Sequence, residues 1–145
     1  MPEQREPTIK VSELYQAAVV VHDLEQSIER YRSTLGIGPW KVVDVDSADL
    51  ATATYHGRPA QYKFRAALAM AGPMQLELIQ PVEGDSIFRD FLAEHGEGLH
   101  HLGHIRVNDL AGSIQALEEV GFPCLQSGSV PGAGYAYIDT VKALV

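Results

Sequence analysis

Three of the six histidines in this 145-residue chain fall within five positions, in the run Leu99-His100-His101-Leu102-Gly103-His104. The run follows a Gly96-Glu97-Gly98 break and so opens a new element. A histidine at a strand opening is a metal ligand, a proton-transfer group or an ordinary hydrogen-bonding side chain. Glu77 is the second feature, standing between Leu76 and Leu78. Side chains alternate along a strand, so a carboxylate between two apolar neighbours either meets solvent or lines a cavity. A divalent ion held by mixed nitrogen and oxygen ligands, with positions left open, can hold an enolate through its oxygens. Proton abstraction beside a carbonyl then becomes feasible near neutral pH. Other chemistries find less support. Cys124 is the single cysteine, which excludes an internal disulfide and zinc sites built on several thiolates. The glycine-rich segment Gly128–Gly134 lacks the Gly-Lys-Ser/Thr ending of a phosphate loop and reads as a mobile flap near a cavity mouth. No Ser-His-Asp system or dinucleotide fingerprint is present.

The elements that position these residues follow from local patterns. Ala17–Val21 is a short β-branched apolar run, read as a buried strand. Asp23 is a good N-cap, and Leu24, Ile28, Tyr31 and Leu35 form one helical stripe that Gly36 ends. Trp40–Val45 reads as a strand. Residues 46–62 give no clear element apart from a turn at Gly57-Arg58-Pro59. Tyr62–Ala69 and Met74–Gln80 read as a hairpin about Gly72-Pro73, closed by Pro81. Ser86 starts a helix with Ile87, Phe88, Phe91 and Leu92 on one face. The opening theme then returns. Leu102–Val107 reads as a strand, and Asn108-Asp109-Leu110, Ser113-Ile114 and Gly121 match His22-Asp23-Leu24, Ser27-Ile28 and Gly36, 86 or 85 residues apart. A strand–helix unit used twice marks an internal duplication.

Composition narrows the function classes. The length is that of one domain, and the chain carries 46% apolar and 21% charged residues, an ordinary globular balance. Eleven Lys and Arg stand against 19 Asp and Glu, a net charge of −8. That balance argues against nucleic acid or an anionic membrane surface as partner. No apolar run reaches the ~20 residues of a membrane span, and the first residues lack a signal-peptide core, so a cytoplasmic location is expected.

A doubled β-α-β-β-β module resembles the vicinal oxygen chelate superfamily, which includes glyoxalase I, methylmalonyl-CoA epimerase, extradiol dioxygenases and bleomycin-resistance-type binding proteins. The residues that carry the resemblance are Val21-His22-Asp23-Leu24, Leu35-Gly36, Leu76-Glu77-Leu78-Ile79-Gln80-Pro81 and Gly98-Leu99-His100-His101-Leu102-Gly103, followed by Asp109-Leu110. The Leu-His-His and Glu-Leu-Ile-Gln-Pro segments most resemble methylmalonyl-CoA epimerase-like and glyoxalase-like proteins. The resemblance implies an α+β fold of two paired β-α-β-β-β modules forming a half-barrel cavity, the second module lacking its last strand. The implied layout is a flexible tail over 1–12 and a single domain over 13–145, with module one at 13–81, a linking helix within 82–97 and module two at 98–145.

The resemblance also implies a metal set. Glu77 and His101 match two ligand positions, and Glu77 is the catalytic candidate. Gln16, seven residues before Asp23, stands where the family places its first histidine. It either ligates through its amide oxygen or lines the cavity. The fourth position, usually a glutamate on the last strand of module two, has no counterpart up to Val145. His101 lies eight residues before Asp109 where the family has seven. A β-bulge between Gly103 and Val107 would restore its facing; without one, His104 is the reserve ligand. The implied cofactor is a divalent ion (Zn, Ni, Co, Mn or Mg), and no organic cofactor is implied. The implied activity is that of a lactoylglutathione lyase-like or methylmalonyl-CoA epimerase-like enzyme. Its substrate would be a small enolisable carbonyl compound or thioester, and a homodimer is expected. The rival is a metal-free small-molecule binder of the bleomycin-resistance type. Epimerases of the family carry a glutamate base on a first-module strand, and Lys63-Phe64-Arg65-Ala66-Ala67 offers no carboxylate there. Trp40, Tyr55, Tyr62, Phe64 and Met70 are core or pocket wall, while Arg58, Lys63 and Arg65 form an anion site or a solvated strand face.

Overall fold

The computed structural model describes residues 5–142. Its elements run β1 (Gln16–Val20), α1 (Leu24–Leu35), β2 (Lys41–Asp46), β3 (Thr52–Tyr55), β4 (Arg58–Pro59), β5 (Tyr62–Ala71), β6 (Met74–Gly84), α2 (Ile87–His95), β7 (Gly98–Gly103), α3 (Leu110–Glu119), β8 (Cys124–Val130) and β9 (Ala133–Ile138). They build an α+β fold with two sheets, of strand order β2-β5-β6-β1-β7 and β4-β3-β8-β9. Of the tail expected over 1–12, residues 1–4 lie outside the described residues, and 5–12 form no helix or strand. Residues 143–145 of the expected second module also lie outside them.

The helix starts follow from their caps. The Asp23 carboxylate accepts from the Gln26 amide at 2.8 Å, and Gly36 ends α1 at φ 67, where a Cβ would be strained. Asp109 repeats the device on the Gly112 amide at 2.9 Å. The two helices differ in what they cover. Leu24 of α1 is fully buried against Val21, Ala67 and Leu78, with Ile28, Tyr31 and Trp40 around it. No residue of α3 is buried.

Strand β1 joins the halves. It runs parallel to β6 on one edge and antiparallel to β7 on the other. The antiparallel β1–β7 contact is the relation that a twofold repeat of a strand–helix unit requires. In the first half β6 lies between β1 and β5; among the described residues no strand lies between β7 and β9. The interior face of the large sheet carries Ala18, Val20, Tyr62, Phe64, Ala66 and Ile79, closed by Ile87 and Phe88 of α2.

Several expectations need correction. Strand β6 does not stop at Pro81 but continues to Gly84, because Pro81 pairs with Phe64 beside a register shift, where a missing N–H disturbs the ladder least. The expected strand Leu102–Val107 lies earlier, at Gly98–Gly103, and residues 104–107 form no strand. The glycine-rich segment is no flap. It is the β8–β9 hairpin, turning at Pro131-Gly132 with Gly132 at φ 80. Residues 46–62 hold a 3-10 turn at Ser47–Asp49, capped by Asp46, and the short strands β3 and β4.

Gly84 closes β6 at φ 79, and a Cβ there would overlap the Gln61 carbonyl oxygen. Neither the backbone angle nor the carbonyl can yield cheaply. Gly84→Ala should therefore cost about 1–3 kcal/mol. Urea unfolding of the two proteins checks this.

Candidate functional site

Three adjacent strands place the chemistry in one lateral row. The register aligns Glu77 of β6 with Ala18 of β1, and Ala18 with His101 of β7, so all three face the interior. Ala18 carries only a methyl group. The two longer side chains therefore close over it, and Glu77 Oε2 lies 3.6 Å from His101 Nε2. Their side chains are only 13% and 14% exposed. Among the described residues no Lys or Arg pairs with Glu77.

The next row along the strands holds Gln75, Gln16 and Gly103. Gln16 is 7% exposed and donates through Nε2 to Gln75 Oε1 at 2.8 Å. Its Oε1 has no donor among the described residues and lies over Gly103. A Cβ at Gly103 would overlap that oxygen and approach His101 Cδ2 to 3.4 Å. The missing side chain thus leaves a cradle where the amide oxygen and the imidazole converge. Gln16 lies on the interior face with Ala18 and Val20, which Phe88 and Ile87 seal, and opposite Val19, which packs toward α1.

The facing of His101 is solved differently from the expectation. No bulge lies between Gly103 and Val107. The register shifts between Ala18↔His101 and Val19↔Leu99, so His100 is the extra residue. The strand then ends at Gly103, and the additional residue before Asp109 is absorbed by irregular chain. His104, the reserve ligand, is no part of the site. It sits past the strand end at φ 58, exposed, with its ring stacked on Tyr15 at 4.6 Å.

Residues that the sequence reading missed complete the interior. His100 Nδ1 lies 2.8 Å from His101 Nδ1. The His100 ring is wedged edge-on against Phe88 at 5.3 Å and Phe91 at 5.0 Å. Tyr137 of β9 packs on His101 at 4.9 Å and on Phe88 at 5.4 Å. Burial first, and then the Glu77 charge, push the Tyr137 hydroxyl well above its usual range, so it is a neutral phenol. The alternation Tyr135-Ala136-Tyr137 on a hairpin strand was the available signal. Helix α2 is fixed by its own N-cap and by two residues of the second sheet. The Ser86 hydroxyl accepts from Arg89 N–H at 3.2 Å, Gln126 Oε1 accepts from Ile87 N–H at 3.0 Å, and Tyr55 donates to Asp90. The Asp90 hydrogen bond, followed by burial, pushes the Tyr55 pKa up to about 12. Gln126 Nε2 is buried and left without a partner among the described residues.

The other candidates fall outside. Tyr62 and Phe64 are core, Trp40 packs on Tyr31 beneath α1, and Met70 is exposed. Lys63 pairs with Asp46 and Glu83, and Arg65 with Glu25 and Asp44, on the outer side of β5. Arg58 is exposed on β4. An open groove of about 700 Å³ is lined by Ser47, Ala48 and residues 50–54 and 59–61, none of them ionisable, and Glu77 is not among them.

Among the described residues no three His, Cys, Asp or Glu side chains gather as a metal set; the donors at hand are the Glu77–His101 pair with the Gln16 amide oxygen beside it. An amide oxygen, a carboxylate and an imidazole match the mixed preference of divalent ions. A separation of 3.6 Å is also within the span of two donors each ~2.1 Å from one centre.

Residues 15–138 match the family described as the glyoxalase/bleomycin resistance protein/dioxygenase superfamily. The chain belongs to this superfamily. Over 59 residues it is 39% identical to the uncharacterized protein YqjC of Bacillus subtilis (strain 168), a match that spans 41% of either chain. Among solved structures it is similar to methylmalonyl-CoA epimerase from Mycobacterium tuberculosis, with 21% identity, a TM-score of 0.57, and coverage of 97% of this chain and 87% of that one. A Streptomyces coelicolor methylmalonyl-CoA epimerase variant in complex with 2-nitronate-propionyl-CoA matches at 18% identity and a TM-score of 0.57, covering 91% and 90%. A mutant 4-hydroxymandelate synthase from Streptomyces coelicolor matches at 15% and 0.56, covering 92% of this chain and 42% of that one. At these identities the structural likenesses establish the fold. No helix among the described residues is long and apolar enough to cross a membrane.

Burial, and next the neighbouring His101, lower the His100 pKa from 6.5 to about 4. The unfolded chain therefore takes up this proton first as pH falls. The resulting stability is present above pH 6.5 and is lost on the way down to about 4, with a slope of up to ~1.4 kcal/mol per pH unit. Urea unfolding of metal-free protein at pH 7 and pH 4.5 should show this loss, and His100→Phe should remove the part due to this residue.

Proposed function

We propose that the protein is a metal-dependent isomerase or lyase acting on a small enolisable carbonyl compound or thioester. The observation that supports this reading is the Glu77–His101 pair closed over Ala18. A carboxylate largely withdrawn from water costs several kcal/mol unless positive charge accompanies it. No Lys or Arg does so among the described residues. Gln16 Oε1, Glu77 and His101 Nε2 would hold the ion, which when bound would polarise a carbonyl oxygen and favour enolate formation. Glu77 also offers a carboxylate oxygen for a proton taken from the carbon beside that carbonyl. The aromatic walls Phe64, Phe88 and Tyr137 exclude water, and the Tyr137 hydroxyl stays protonated beside Glu77. The epimerase relatives, one of them holding a CoA thioester analogue, support a thioester as the first substrate to try. Methylmalonyl-CoA epimerisation itself is disfavoured, because the interior residues of β5 are Tyr62, Phe64 and Ala66, with no carboxylate.

A metal-free binding protein is the second reading. It is favoured by that same absence of a carboxylate on β5.

A homodimer belongs to the proposal. Leu99 and Leu102 on the outer face of β7 are 62% and 57% exposed, an apolar surface that a second copy would cover. Sedimentation at tens of micromolar protein should give the dimer mass; a monomer would reject it.

Chelator-treated protein should gain about 2.7 kcal/mol of stability when free Zn, Ni, Co or Mn reaches 100 times its dissociation constant. His101→Ala should abolish the gain and Glu77→Gln should shrink it. The metal-loaded protein should also wash solvent deuterium into the carbon beside the carbonyl of propionyl-CoA. If no ion shifts the melting temperature, the enzyme reading falls and the binding protein replaces it.

A further inference from the structure

Neighbouring residues on a regular strand point to opposite faces, yet the His100 and His101 rings meet. The register shift at His100 removes the alternation and brings the two Nδ1 atoms to 2.8 Å, with the rings 86° apart. A contact of that length between two ring nitrogens needs one proton between them, so one ring donates and the other accepts. The rings are not equally held. His100 is fixed between Phe88 and Phe91 of α2. The second nitrogen of His101 faces Glu77 at 3.6 Å.

We propose that His100 is the positioning residue for His101: it accepts the Nδ1 proton of His101 and so holds that ring with its Nε2 lone pair turned toward Glu77. This rests on the reading of His101 as a ligand. A metal-binding histidine usually gives its other N–H to a carboxylate, a carbonyl or water, which sets both tautomer and ring orientation. Here an imidazole from the adjacent residue takes that place. The opposite assignment would put a proton on Nε2 and block it. A bare Nε2 and a carboxylate oxygen 3.6 Å apart repel unless positive charge lies between them. The ring pair therefore couples the orientation of His101 to cation uptake beside Glu77. No step of the proposed reaction needs His100 to touch substrate.

The test uses the whole chain with ¹⁵N-labelled histidine, and zinc as the probe. In metal-free protein, a ¹⁵N–¹⁵N coupling across the Nδ1 pair is expected, and in zinc-loaded protein the shared proton should lie on Nδ1 of His101. His100→Phe, which keeps the aromatic packing but has no acceptor, should weaken zinc binding about 10- to 100-fold. His100→Asn sets an amide oxygen at the same distance from the backbone as Nδ1 and should restore most of the affinity. Absence of the coupling, a proton found on His100 in the zinc-loaded form, or His100→Phe binding zinc as tightly as wild type would overturn the proposal. If His100→Phe does not fold, failure of His100→Asn to keep the coupled proton on His101 overturns it as well. Wild type that keeps the coupling but takes up no metal would overturn the ligand reading and leave the ring pairing standing.

Discussion

Strand β1 is hydrogen-bonded on both edges to strands that carry the chemistry, and the site follows from that double pairing. Parallel pairing with β6 fixes which residue faces Glu77, and antiparallel pairing with β7 fixes which faces His101. Both registers converge on Ala18. Strands lie roughly 4.8 Å apart, so Glu77 and His101 start two strand spacings from each other and meet only because little stands between them. A branched residue at position 18 would separate them. The helix α1, packed on the opposite face through Leu24, keeps β1 and β6 in this relation from behind.

Charge is sorted by side of the sheet. Lys63 and Arg65 alternate with Phe64 and Ala66 along β5, so the cations point out to Asp46, Glu83, Glu25 and Asp44 while the apolar residues point in. The ion pairs are exposed and contribute little stability each. Their consequence is for the interior. They leave Glu77 facing an imidazole, a phenol and apolar walls, a setting in which an added positive charge is strongly favoured.

Much of this was legible in the sequence, for identifiable reasons. The Asp23 and Asp109 caps, Gly36 and the Leu24, Ile28 and Tyr31 part of the α1 stripe are local signals within single turns, and they read correctly, whereas Leu35 at the end of the stripe is exposed. The doubled unit was visible because the same local signals recur. Alternation left Glu77 facing either solvent or a cavity, and the resemblance to the family chose the cavity. What was not legible depended on pairing between distant strands. The shift at His100 exists only against Val19 and Ala18, and nothing in Leu99-His100-His101 marks it. The strand was accordingly read too late in the chain, and His104 was kept as a ligand candidate. Residues 46–62 were opaque because β3 owes its existence to β8, some seventy residues away, and β4 to β3. The glycines of β8 and β9 looked like a loose loop. Gly128 lies instead beneath the Tyr135 ring and Gly134 against Leu110, where close packing leaves no room for a side chain.

Helix α2 gives the molecule a mechanical link between its sheets. The second sheet grips it at Ile87 through Gln126 and at Asp90 through Tyr55, and its aromatic side chains lean on the histidine pair of the first sheet. The contacts to the two sheets alternate along one stretch of the helix, Ile87 and Asp90 to the second sheet and Phe88 and Phe91 to the first. Sliding of β8 against β3 would be carried along it to Phe88 and Phe91 and felt as a tilt of the imidazoles. The packing around Glu77 and His101 thus depends on contacts of α2 with a sheet that carries neither residue.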